Sequence, residues 1–172
     1  MKPILIYALL SLSAHAAEPK TPPAVAAGRY YGSAKVLNAL ISNKQKNATY
    51  GIKYGEESRM AAMFYTSMNY IDIEAAGKEL IAAAAALPAK PSPDVASKTL
   101  LALADQELAQ AEKISTETMA MVESARVKIT QNYRTAPPSE TRGIPSVSML
   151  LDMLSPRPVP IAQARAAAAG KR

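Results

Sequence analysis

A chain of 172 residues is the size of one domain and too short for two well-packed ones. Its formal charge of +6 is interspersed through the chain without the Lys/Arg clustering of a nucleic-acid surface, so no nucleic-acid partner is expected. There is no Cys, which excludes disulfides, lipid-modified thiols, haem attachment and thiolate chemistry.

Residues 1–16 read as a secretory signal. Lys2 supplies the positive start, Ile4–Leu12 a short apolar run, and Ala14-His15-Ala16 a small-residue cleavage site, with cleavage expected after Ala16 and Ala17 the next choice. The run is far short of the ~20 apolar residues that span a bilayer, and nothing later is long and apolar enough either. A bacterial envelope protein, periplasmic or secreted and without a transmembrane segment after cleavage, is the expectation. His15 is the only histidine. Its loss with the signal would leave neither His nor Cys, which removes Ser-His-Asp and Cys-His nucleophiles and the usual zinc sites. The expectation is therefore no catalytic residue, no cofactor and no metal.

Residues 17–135 form the expected helical domain. Glu18 to Pro23 is a polar lead-in. Ala24 to about Lys44 has helical spacing, with Tyr30, Ala34, Leu37, Leu40 and Ile41 on one face; Gly28 and Gly32 weaken its first half, and Asn43 to Thr49 reads as a polar turn. A second helix is expected from about Glu56 to Leu87. Met63, Tyr70, Ile73, Leu80, Ala84 and Leu87 line one face, and Met60, Phe64, Ser67 and Ile71 an adjacent one. Ala82–Ala86 makes a slim surface that another helix can approach closely. Pro88, Pro91 and Pro93 then force a turn.

Ser92 to Arg134 reads as one long amphipathic helix, with Ser92 as its expected N-cap and Pro93 in the first turn. Leu101, Ala104, Leu108, Ala111, Val122, Ala125 and Ile129 follow a heptad seam whose weak middle is Ser115 and Thr118. The short connection pairs this helix with the preceding one as an antiparallel hairpin. Asp94, Asp105, Glu107, Glu112, Glu117 and Glu123 precede Arg126, Lys128 and Arg134, a gradient that suits the helix dipole without a ligand. The fold class is thus all-α: a helical hairpin extended to a three-helix or four-helix bundle.

Residues 136–172 read as a Pro-rich, partly flexible tail. Val147, Leu150, Leu151 and Leu154 recur at helical spacing in a short segment that must dock on something to be stable. Ile161–Arg172 is Ala-rich and basic, its composition suiting either partial helix or disorder, and little of it is expected to be buried.

Candidate chemistry is sparse. Asp72 with Glu74, and Glu56 with Glu57, are too close along a helix to converge on one site and read as solvated surface. Gly28-Arg29-Tyr30-Tyr31-Gly32 is echoed by Gly51-Ile52-Lys53-Tyr54-Gly55. Tyr30, Tyr31 and Tyr54 beside basic residues could form an exposed recognition surface, since Tyr and Arg are enriched at binding hot spots, or could be a coincidence of a Tyr-using chain. Together with Val147, Leu150, Leu151 and Leu154 they are the candidate partner-binding residues. The signal, long seam and docking segment make the layout loosely similar to the small helical subunits exported by bacterial conjugation and type IV secretion systems, on architecture alone. The expected function is a non-catalytic, secreted helical protein that binds other envelope proteins or itself. The alternative is a periplasmic binding or chaperone-like module for peptides or small apolar ligands.

Overall fold

The structure, a computed structural model, describes residues 21–55, 70–90, 93–134 and 161–169. Within them there are four helices and no strands, so the chain is all-α. The signal, the 56–69 part of the expected second helix, and Val147, Leu150, Leu151 and Leu154 lie outside the described residues.

Helix α1 is Pro23–Gly55, 33 residues without a break. Its ladder begins on the Pro22 carbonyl, which accepts from Val25 N at 2.9 Å and Ala26 N at 3.1 Å. Pro23 is therefore the first helical residue, where its missing N–H is not needed. The turn expected at Asn43 to Thr49 is instead helix. Lys44 and Ala48 are buried there, so tertiary packing carries the helix through residues of weak propensity.

Helix α2 is Tyr70–Ala85 and helix α3 is Val95–Arg134, 40 residues long. The N-cap of α3 is Asp94 rather than Ser92. The Asp94 carboxylate accepts from Ser97 N at 3.0 Å, Ser97 Oγ at 2.8 Å and Ala96 N at 3.3 Å. These bonds, with the Ser97 hydroxyl foremost, hold its carboxyl below the usual Asp range. An anionic cap at the positive end of a helix satisfies two free N–H groups and the dipole together.

The long helix pairs mainly with α1. Gly28 lies beside Leu100, Asn38 bonds Glu107, and Gln45 reaches Glu117, so residue numbers rise together and the two helices are parallel. α2 runs back between them in the chain, and the turn through Leu87 and Pro88 returns to the end where α1 starts. Among the described residues the seam is thus completed mainly by α1 rather than by α2. α2 carries only 16 residues and packs on α1 and on a fourth helix.

That helix, α4, is Ile161–Ala169. The expectation that this stretch buries little is corrected: Ile161, Ala164 and Ala168 are buried in the main core, and α4 packs against α2. Three apolar residues at positions 161, 164 and 168 make one helical stripe. Alanine is slim enough for α4 to sit close to the alanine-rich face of α2. Arg165 Nη1 also donates to Glu112 Oε2 of α3 at 2.8 Å.

Candidate functional site

Two features of the bundle bear on function: an interior polar layer and an open surface groove. The layer divides the core. On one side lies the main cluster, which includes Tyr30, Leu37, Ile41, Leu80, Leu108 and Ala111. On the other is a small cluster of Ala48, Val122 and Ala125, flanked by Ile52 and Met121. Between them Lys44 and Thr118 are each only 1% exposed. The Thr118 hydroxyl donates to the Ile114 carbonyl at 2.7 Å, within its own helix. Burial pushes the Lys44 amine down to about 8. The weak middle of the seam is therefore met from inside the chain, by α1.

Polar bonds link α1 and α3 along their outer edges. Asn38 Nδ2 donates to Glu107 Oε2 at 2.6 Å, while Asn38 Oδ1 is buried without a hydrogen-bond partner. Thr49 Oγ1 donates to the Gln45 carbonyl at 2.9 Å and sits 3.5 Å from Met121 Sδ. These pairs fix the register of the parallel helices, and none is arranged for acid–base or nucleophilic work. Among the described residues no group of three or more His, Cys, Asp or Glu could hold a metal ion. No described helix is long and apolar enough to cross a membrane.

The groove lies between α1 and α2 and has a volume of about 560 Å³. Arg29, Gly32, Ser33 and Val36 form the α1 wall. The opposite wall is Glu79 with Ala76, Ala82, Ala83 and Ala86. Its openness has a direct cause in side-chain size. A Cβ placed on Gly32 would meet nothing within 4 Å, and the alanines opposite project only a methyl group. Val36 is 55% exposed there, an apolar branch left in solvent.

The tyrosine candidates separate. Tyr30 is fully buried in the main core and so cannot belong to an exposed recognition surface; its ring fills the space between α1 and its neighbours. Tyr31 is half-buried and packs on the same core. Tyr54 falls in the last turn of α1, its side chain outside the described residues. The echo of Tyr before Gly thus does not build one surface from Tyr30 and Tyr31. The groove was missed in the sequence because its signal, Gly32 facing a distant alanine run, is the same pattern that produces a closed helix crossing.

Fold and groove together define an all-α bundle with an open face lined largely by small side chains. None of the known protein families, characterised proteins or solved structures compared with the chain matches it.

Proposed function

We propose that the protein is a non-catalytic helical module, exported to the bacterial cell envelope, that acts by protein–protein contact through the α1/α2 groove. The observation that supports this reading is an open groove of small apolar side chains with Val36 exposed in it. Small side chains let a partner helix approach closely, and an exposed valine gains by being covered. A role as a small subunit of a secretion or conjugation apparatus is the form of this reading that the layout favours, by analogy of architecture.

Site-specific photo-crosslinking in intact cells tests it. A crosslinker at Val36 should give discrete protein adducts, and one at Val127, exposed on α3 far from the groove, should not. Equal, diffuse labelling at both positions would sink the groove as the contact face. Export is tested separately by the mass of the mature chain, which should begin at Ala17. The second reading, a binding module for peptides or small apolar ligands, draws on a groove volume within the ~300–1,000 Å³ of typical ligand sites. It predicts uptake of a hydrophobic dye that Val36→Lys abolishes.

A further inference from the structure

We propose that the α1/α2 groove is a self-complementary interface and that its occupant is a second copy of this chain; the proposal rests on the reading that the protein works by protein–protein contact. The argument comes from the charges on the two walls. Arg29 stands on the α1 wall and Glu79 on the α2 wall, both exposed. Among the described residues neither takes part in an ion pair, whereas Glu74 with Lys78, Glu112 with Arg165 and Glu123 with Arg126 all do. One groove thus carries one cation and one anion, on opposite sides, that do not meet each other.

A two-fold interface uses the same patch on both partners, so that residue i of one copy meets residue j of the other and the reverse. A surface with a basic wall and an acidic wall satisfies that requirement by itself. Arg29 of each copy faces Glu79 of the other, and two identical pairs form. The space between the walls suits the approach, because Gly32 leaves the α1 surface open and Ala82 and Ala83 keep the α2 surface low. Val36 of each copy then loses its exposure against the other's alanines. A stable interface takes roughly 20–30 residues from each side, and this groove with its rims supplies fewer. The association is accordingly weak and reversible, and the two exposed ion pairs make it sensitive to salt.

Sedimentation velocity on the purified full chain, from about 10 to 200 μM at low salt, reads the prediction directly. The wild type should dimerise with rising concentration. Arg29→Glu places Glu against Glu79, and Glu79→Arg places Arg against Arg29. Each reversal should weaken dimerisation at least about tenfold, because like charges are brought together. An equimolar mixture of the two variants should dimerise again, since both cross pairs are then of opposite sign. Val36→Asp, on the same face, should give the same loss as either reversal. All three positions are exposed, and unchanged circular dichroism shows that each variant is folded.

A wild type that stays monomeric across the range overturns the proposal, as does a dimer indifferent to both reversals. A monomer whose Val36 crosslinks to a different protein in cells removes the second copy and leaves the contact reading standing. A monomer with no crosslink removes both.

Discussion

Lys44 gives the protein a stability that depends on alkaline pH in a predictable direction. Its amine sits near 8 in the fold and near the ordinary 10.5 when the chain unfolds. Below about 8 both states hold the proton and the fold carries a buried charge. As pH rises through the window from 8 to 10.5 the folded chain releases its proton while the unfolded chain keeps it, so stability increases. Thermal melts across that window should show the rise, and Lys44→Met should flatten it. Asp94 works at the other end of the scale. Its depressed carboxyl means that the cap stabilises fully above the unfolded Asp range and is lost as pH falls through the lower folded value. Asp94→Ala should lower the melting temperature at neutral pH and have little effect in strong acid. The same residue class shows where sequence reading stops. The acids of the long helix are explained by its dipole when read alone, yet Glu107, Glu112 and Glu117 each meet a side chain of another helix. Their partners are 53 to 72 residues away, and no local pattern joins such residues.

At the level of single helices, periodicity served well for where the apolar faces lie. Ala104, Leu108, Ala111, Val122 and Ala125 of the expected seam are all buried, as are Tyr30, Ala34, Leu37 and Ile41 of α1. It served less well for extent and pairing. A run such as Asn43 to Thr49 has turn chemistry but no glycine or proline, so a helix with a long partner continues through it. Alanine faces cause the other failure. They suit several neighbours equally, so the sequence of α2 could not distinguish α3 from α1 and α4. Leu108→Ala, at a fully buried seam position, should cost about 2–5 kcal/mol in chemical denaturation. The docking of α4 leads to a sharper comparison. Burying Ile161 contributes roughly 1.5–3 kcal/mol, while the half-exposed Arg165–Glu112 pair contributes at most about 1 kcal/mol. Ile161→Glu should therefore release α4 and lower the melting temperature clearly, and Arg165→Ala should lower it little.

The described part of the core is uneven. Among the described residues sixteen buried side chains form the main cluster, against three beyond the Lys44–Thr118 layer. Local opening follows the thinner packing. Hydrogen exchange should therefore be faster for residues 48–53 of α1 and 119–128 of α3 than for residues 30–41 and 104–111. Equal protection at both ends would show that the layer transmits packing as well as an apolar one does. The helical class was readable from composition and periodicity; the groove was not, because it depends on which helices are neighbours.

The parallel pairing of α1 with α3 also sets a timetable for the chain. Gln45 finds Glu117 only after 72 further residues exist. At the usual ~5–20 residues per second of synthesis that is an interval of about 4–14 s. Throughout it α1 exists as a complete amphipathic segment whose apolar stripe has nothing of its own length to lie against. Closing so large a loop also delays folding relative to a bundle of sequential hairpins. Until α3 is made, the stripe of Tyr30, Leu37 and Ile41 has among the described helices only the 16-residue α2 to lie against, so whatever handles the nascent chain meets it incompletely covered.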